Sequence, residues 1–302
     1  MGHDIKTLRA HFKDKGVFYT DSKLAELLKS FIPNDVTEVY DPTCGDGALL
    51  DVFPREVKKY GQEIDLYQAE TACKRLQNAV IATGDTLASP QFKNRRFRGI
   101  VANPPFSIKW NPEKADVDIF HDCPVLPPAG KADYAFLLHI LHVLAPDGVA
   151  AILNFPGVCY RGQREGQIRK WMVEQNYIDE VWHIEGGHFV DTKIPTCLLV
   201  LRKNRQTTDV RFYNRELKIT RVVTKKEIED NGYNLSVSAY VSEPATPRPQ
   251  IDPMALENMA QRNVLQNIRA QIEFSKAVAG FEGWSLTPFL DKIQSLVNEY
   301  RD

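Results

Sequence analysis

The apolar run Gly99-Ile100-Val101-Ala102 ends in Asn103-Pro104-Pro105-Phe106, and this junction constrains the fold more than any other stretch. The run is short and β-branched, with charge before it and proline after it, which predicts a buried strand that stops abruptly. Pro104 and Pro105 end it because neither can donate a ladder hydrogen bond. Asn103 then stands at the carboxyl end of a strand, where open α/β sheets hold their ligands. The tetrapeptide also suits a particular chemistry. An aromatic amine such as N6 of adenine is a poor nucleophile, because its lone pair is delocalised into the ring. Two acceptors on that amine would draw it toward tetrahedral geometry and free the lone pair. The Asn103 amide oxygen can be one, and the Pro104 carbonyl, held rigidly, the other. Phe106 offers a ring face on which a base taken out of its helix can stack. A proline turn after a core strand is the alternative for these residues taken alone.

Three earlier strand ends carry carboxylates. Residues 36–40 read as a strand that runs into Asp41-Pro42-Thr43-Cys44-Gly45-Asp46-Gly47-Ala48-Leu49-Leu50. This is a strand, a glycine turn and a helix, and the glycines permit close approach of a ligand to the backbone. Neither the dinucleotide fingerprint nor the phosphate loop is present. With Asp41 and Asp46 and no lysine, the loop suits an amino-bearing ligand better than a phosphate; Cys44 reads as a small loop residue. Residues 58–64 form a second strand ending in Glu63, roughly 20 residues past the glycine turn, where doubly wound folds bind ribose hydroxyls. A helix over 66–80 follows, with Leu66, Ala69, Cys73, Leu76 and Val80 at helical spacing. Thr83-Gly84-Asp85-Thr86-Leu87 then offers Asp85 to the exocyclic amine of a purine. Each carboxylate alone reads as a cap or turn residue. Placed after three successive strands, they match the amino group, the ribose and the adenine of S-adenosylmethionine.

Elsewhere, residues 6–31 read as helical on both sides of Gly16-Val17-Phe18-Tyr19-Thr20-Asp21, with Asp21 or Thr20 capping a helix over 22–31. Phe18 and Tyr19 either staple that helix to the core or wall a ligand; this stretch alone favours the core. Residues 107–131 form a long loop, either an ordered excursion or a cover for a flipped base with Trp110 and Phe120 to stack on it. An amphipathic helix is expected over 133–144, a strand over 149–155 and a helix over 164–176. Strands over 178–184 and 197–201 would complete a seven-stranded sheet. His139, His142, His183 and His188 read as core or surface residues. A proline-rich linker, 242–250, leads to helical periods over 253–278 and 287–300, split by Gly280 and Gly283, which either cover the sheet or engage a partner.

Composition narrows the class. The chain has 302 residues, 43% hydrophobic and 25% charged, ordinary for a globular protein. No apolar run is long enough to span a membrane, the first residues lack the apolar core of a signal peptide, and the five cysteines show no CxxC pair. A cytoplasmic protein with neither zinc site nor disulfide framework is expected. The formal net charge of -1 supplies no global attraction to nucleic acid. Local basic clusters do occur: Lys93-Asn94-Arg95-Arg96-Phe97-Arg98, Arg161 with Arg164, Arg169 and Lys170, and Lys203 with Arg202 and Arg205. They read as solvated surface, or as phosphate contacts if they share a face.

Taken in order, Phe18-Tyr19-Thr20, Asp41 to Gly47, Gly61-Gln62-Glu63, Gly84-Asp85-Thr86-Leu87 and Asn103-Pro104-Pro105-Phe106 resemble the N6-adenine DNA methyltransferases, in particular the modification subunit of type I restriction-modification systems. The likeness continues in Asp133-Tyr134-Ala135-Phe136, His139, Pro156-Gly157-Val158, Arg161-Gly162 with Glu165, and Asn176-Tyr177-Ile178-Asp179. It ends with Ile194-Pro195-Thr196, residues 198–201 and Gly232-Tyr233-Asn234-Leu235-Ser236, so it spans about residues 12–241. The resemblance implies an α/β, Rossmann-like, seven-stranded S-adenosylmethionine-dependent sheet with added helices. It implies three segments: an N-terminal helical piece with a cofactor motif (1–34), a methyltransferase domain (35–241), and the linker with C-terminal helices (242–302). Asn103, Pro104, Pro105 and Phe106 would be catalytic. Phe18, Tyr19, Thr20, Asp41, Thr43, Gly45, Asp46, Gly47, Ala48, Glu63, Ile64, Asp85, Thr86, Leu87 and Asn103 would hold S-adenosyl-L-methionine, with no metal. DNA is the implied substrate. Two departures, Asp21 in place of a usual proline and Arg98 near a usual aspartate, are not expected to carry chemistry. The stretch before the Phe-Tyr-Thr motif is shorter than the long helical segment of such subunits, and no segment resembles a target-recognition domain. A separate specificity subunit, with a restriction subunit, is therefore the expected partner set, in an altered assembly. Two other functions compete: methylation of another planar amine or amide, in an RNA base or a protein glutamine, and a non-catalytic cofactor-binding subunit. Phe106 favours DNA, and the intact tetrapeptide favours an enzyme.

Overall fold

Short apolar runs alternate with helical segments through the first third of the chain, a pattern that builds a parallel sheet. The computed structural model, which describes residues 21–186, 195–242 and 252–301, assembles it from β1 (Glu38–Asp41), β2 (Lys58–Glu63), β3 (Ala79–Thr83), β4 (Phe97–Ala102), β5 (Leu144–Asn154), β6 (Ile178–Ile184), β7 (Thr196–Arg202), β8 (Val210–Asn214) and β9 (Ile219–Val223). The order is β3-β2-β1-β4-β5-β7-β6-β8-β9. β1 pairs in parallel with β2 and β4, β2 with β3, and β4 with β5. β7 lies antiparallel between β5 and β6. The chain steps outward from β1 to β3, then returns to the other side of β1 for β4. That reversal opens a crevice at the carboxyl ends of β1 and β4, where Asp41 and Asn103 stand.

The sheet corrects the expected strand count: among the described residues it has nine strands, not seven. β8 joins beside β6 in parallel and β9 closes a hairpin on it. The charged stretch around this hairpin hides it, since Arg211 and Arg221 point outward from an edge while Val210, Phe212 and Val223 are buried.

Helices α1 (Ser22–Lys29), α2 (Ala48–Asp51), α3 (Leu66–Arg75), α4 (Asp133–Val143), α5 (Gln163–Glu174) and α6 (Lys225–Asp230) flank the sheet. Asp21 caps α1, its Oδ1 accepting from the Leu24 N–H at 2.7 Å. Asp65 caps α3 through the Tyr67 and Gln68 N–H groups. The helix expected over 66–80 stops at Arg75. Leu76 is extended, Asn78 turns the chain with φ +55, and Val80 belongs to β3. The apolar spacing of Leu76 and Val80 mimics a helical face, but asparagine in the left-handed region ends it. Nor is α4 amphipathic: every residue except His142 is buried. The sheet lies on one side of it, and the loop over 107–131, with single helical turns at Pro112–Lys114 and Val117–Phe120, packs on the other. Phe120 is consequently a core residue, 4% exposed with its ring 5.4 Å from that of Trp110, and not a stacking surface.

Two apolar layers sandwich the sheet. One gathers Tyr40, Phe97 and Ile100 with the inner faces of α4 and α5. The other packs Leu24, Leu28, Leu49 and Leu50 on Val39, Val101 and Leu153. Burying each such side chain contributes about 1.5–3 kcal/mol.

The chain divides into two compact units, Met1–Glu243 and Pro244–Asp302. The second contains α7 (Pro253–Glu282) and α8 (Thr287–Glu299). Asp252 caps α7 at the Met254 N–H, 3.0 Å away. The helix runs straight through Gly280 and ends only at Gly283, whose φ of +72 closes it, so one of the two expected breaks is absent there.

Candidate active site

At the carboxyl ends of β1 to β4 lies a cavity of about 610 Å³. Asp41, Thr43, Gly45, Asp46, Ala48, Glu63, Ile64, Asp85, Thr86, Leu87, Asn103 and Pro105 all line it. Gly47, Pro104 and Phe106 do not, and Phe18, Tyr19 and Thr20 fall outside the described residues.

Asp41 ends β1 and is 1% exposed. One of its oxygens accepts from the Thr43 backbone N–H at 2.9 Å. Burial raises its carboxyl to about 7, and the neighbouring Glu63 charge pushes the same way. Glu63 accepts from the Gly45 N–H on Oε2 and the Asp65 N–H on Oε1, both at 2.9 Å, and burial raises it too. Gly45, with φ +52, turns its N–H onto that carboxylate. Gly47, with φ +86, lets the loop close on α3: a Cβ there would stand 2.9 Å from Leu76 Cδ1. Asp85 is exposed and caps its own turn through Oδ1, which accepts from the Leu87 N–H at 2.8 Å. The buried Thr86 hydroxyl is committed, donating to the Pro42 carbonyl at 2.6 Å. Asp46 pairs with Arg75 on α3 at 2.8 Å. Ile64 is 68% exposed and gives the cavity an apolar flank.

Across from these groups, Asn103 and Pro105 form the β4 wall of the cavity, and Pro104 is buried beneath them. Phe106 is partly buried, packs against the apolar layer that includes Leu24 and Leu28, and does not itself line the cavity. The next residues are fastened: the Ala132 N–H donates to the Ile108 carbonyl at 2.8 Å, and Trp110 Nε1 to the Pro128 carbonyl at 2.9 Å.

The residues present fit a cationic ligand that carries hydroxyls and a flat ring. Five acidic side chains line the cavity (Asp41, Asp46, Glu63, Asp65 and Asp85) against one lysine, Lys109. Burial favours the neutral form of Asp41, and a cation beside it would restore its charge. Phosphate would be repelled.

The family described as N-6 DNA Methylase matches residues 6–221. The chain belongs to this family. It is 36% identical over 233 residues to the type I restriction enzyme MpnII methylase subunit of Mycoplasma pneumoniae, covering 67% of this chain and 42% of that one. It is 27% identical over 230 residues to the HindI methylase subunit of Haemophilus influenzae, covering 68% and 52%. The chain thus spans about half the length of these curated relatives. The crystal structure of a type I restriction-modification methyltransferase subunit from Streptococcus thermophilus superposes with a TM-score of 0.70 at 29% identity, over 78% of this chain and 62% of that one.

Other features of this N-6 DNA methylase chain fall away from the site. The basic clusters are largely neutralised: Lys93 pairs with Asp116 and Asp118, Arg95 with Glu38, Arg98 with Asp35 and Asp147, and both Arg202 and Arg205 with Asp179. Arg169 is buried and donates to the Tyr233, Val158 and Arg161 carbonyls. His139 is a core residue 3.1 Å from the Tyr40 hydroxyl, and burial holds it neutral, down at about 3. Burial pushes the Cys44 thiol up, so it stays protonated. Among the described residues, no cluster of His, Cys, Asp and Glu could hold a metal, and no helix is long and apolar enough to cross a membrane.

Several cavity residues show no ligand role in the sequence, although Gln62 and Phe136 fall within the quoted motifs. Gln62 is fully buried, with its amide donating to the Gly84 and Ser89 carbonyls and its oxygen accepting from the Gln91 N–H, so it fixes the loop after β3. In the mixed run Lys58-Lys59-Tyr60-Gly61-Gln62-Glu63 nothing marks this glutamine as buried. Ile108 and Lys109, at the start of the 107–131 loop, and Phe136 on α4 also line the cavity.

Proposed function

We propose that this chain transfers a methyl group from S-adenosyl-L-methionine to N6 of adenine in DNA, as the modification subunit of a type I restriction-modification system. The observation that carries the reading is the pairing, across one crevice, of an acidic cavity on β1 to β3 with Asn103-Pro104-Pro105-Phe106 after β4. In this reading Asp41 takes the ligand ammonium, Glu63 the ribose hydroxyls, and Asp85 with Ile64 and Leu87 the adenine. Thr43, Gly45, Asp46, Gly47 and Ala48 shape the loop, and Phe18, Tyr19 and Thr20 close the site. The cofactor supplies an electrophilic methyl group. Asn103 Oδ1 and the Pro104 carbonyl accept from the substrate amine and aim its lone pair into the cavity, while Phe106 stacks on the base. Catalysis is then orientation and preorganised hydrogen bonding, and the excess proton leaves to solvent after transfer.

Residues 35–241 are the catalytic domain in this reading. The relatives are named as methylase subunits of type I restriction enzymes, which supports further subunits as partners; in this reading they are a specificity subunit and a restriction subunit, and the chain works with DNA in the cytoplasm. The test is isotope transfer from labelled cofactor to DNA, RNA and protein, followed by nucleoside analysis. Label should appear as N6-methyladenine in DNA and vanish with Asn103→Ala. Label confined to RNA or protein, or label indifferent to Asn103, would overturn the reading.

A further inference from the structure

Ser107 directly follows the Asn103–Phe106 tetrapeptide and has φ +54, a left-handed conformation uncommon for a residue with a side chain. Two side chains from elsewhere in the chain hold it there. Its backbone N–H donates to Asp133 Oδ1 at 3.1 Å, and Arg161 Nη2 donates to its Oγ at 2.8 Å. The same guanidinium reaches Asp133 Oδ2 at 3.4 Å and Glu165 Oε1 at 3.2 Å. The Asp133 and Glu165 side chains are 1% and 6% exposed, and that of Arg161 is 14% exposed. The Phe155 ring lies 5.3 Å from the guanidinium carbon, and a Cβ on Gly157 would collide with Arg161 Nε. None of Ser107, Asp133, Arg161 and Glu165 lines the cavity. One largely buried cation therefore joins two buried carboxylates to a strained backbone position beside the proposed catalytic residues, outside the cavity lining.

We infer that Arg161 is a positioning residue: through Ser107 it sets the aim of Asn103 and Phe106 at the substrate amine. Its fork makes several directed hydrogen bonds at once, which a lysine cannot reproduce. The kinetic side of this inference rests on the methyl-transfer reading; the structural side does not.

The test uses the full chain with Arg161→Lys, which keeps a cation between the carboxylates and so preserves the fold, and with Ser107→Ala, which removes only the Oγ link. A misplacement of about 1 Å can cost on the order of 100-fold in rate. Arg161→Lys should therefore lower kcat at least tenfold, with cofactor Kd changed less than about threefold, and Ser107→Ala should follow in the same direction. Hydrogen exchange at the Phe106 to Trp110 amides should quicken in Arg161→Lys. Wild-type kcat with wild-type exchange would overturn the inference. So would kcat, cofactor affinity and melting temperature all falling together, since that would make Arg161 merely structural. If the wild-type chain transfers no methyl group to DNA, the methyl-transfer reading fails and exchange alone decides: faster exchange supports Arg161 as the clamp on Ser107, and unchanged exchange sinks it.

Discussion

Asp41→Asn should stabilise the ligand-free protein and cripple its cofactor binding. The native carboxyl stands at about 7, against 3.8 in the unfolded chain, because burial and Glu63 oppose its charge. The native state therefore keeps a proton that the unfolded state releases. Stability falls as pH rises from about 4 to about 7, and above that the full cost remains, about 4 kcal/mol. Asparagine has the same shape, keeps the acceptor for the Thr43 N–H, and carries no charge to bury. At pH 8 the variant should melt several degrees higher than the wild type, since 1 kcal/mol shifts a domain of this size by roughly 2–4 °C. At pH 5, where native Asp41 is already mostly protonated, the gap should shrink. Calorimetry should show the opposite effect on the cofactor. Removing the partner of a buried ammonium costs about 2–5 kcal/mol, so affinity should fall at least about 30-fold. A variant less stable than wild type at pH 8, a gap that ignores pH, or unchanged cofactor affinity would each refute the reasoning.

Asn103→Ala should leave cofactor affinity nearly unchanged while turnover drops on the order of 100-fold, as for loss of one preorganised contact to a transition state; paired calorimetry and rate measurements check this. Gly47→Ala forces a side chain into φ +86 and against Leu76, so thermal melting should reveal a loss of about 1–3 kcal/mol, with weaker cofactor binding as the loop shifts. DNA binding by the isolated chain should be weak, because most clustered arginines and lysines are already paired within the fold, and what binding there is should be salt-sensitive. Efficient methylation of one defined sequence by the chain alone, mapped base by base, would contradict this.

The strand ends at Asp41 and Asn103 were legible because an apolar run and the polar residue that stops it are two independent signals. Glu63 follows a mixed run and Asp85 a stretch read mostly as helix, so both were placed by their spacing from the glycine turn, and the α/β class by the alternation of elements. The β8–β9 hairpin was not legible, because an edge hairpin with one wet face looks like charged loop. The all-round burial of α4 was hidden for another reason: Asp133 and His139 read as polar positions of an amphipathic helix, yet each finds a partner within the fold, Arg161 and Tyr40. Phe120 likewise depends on how the 107–131 loop lies on α4, which no local pattern encodes.

β1 and β4 are hydrogen-bonded neighbours, with Val39 opposite Gly99 and Tyr40 opposite Ile100. Adjacent strands keep a spacing of about 4.8 Å whatever their side chains. The gap between the carboxylate of β1 and the amide after β4 is thus gauged by the backbone ladder, like a ruler printed into the sheet. Loops around the crevice can lengthen, shorten or change partner and alter which molecules arrive there. They leave that gap untouched, so under the proposed function new specificities can be tried on this scaffold without recalibrating the transfer step.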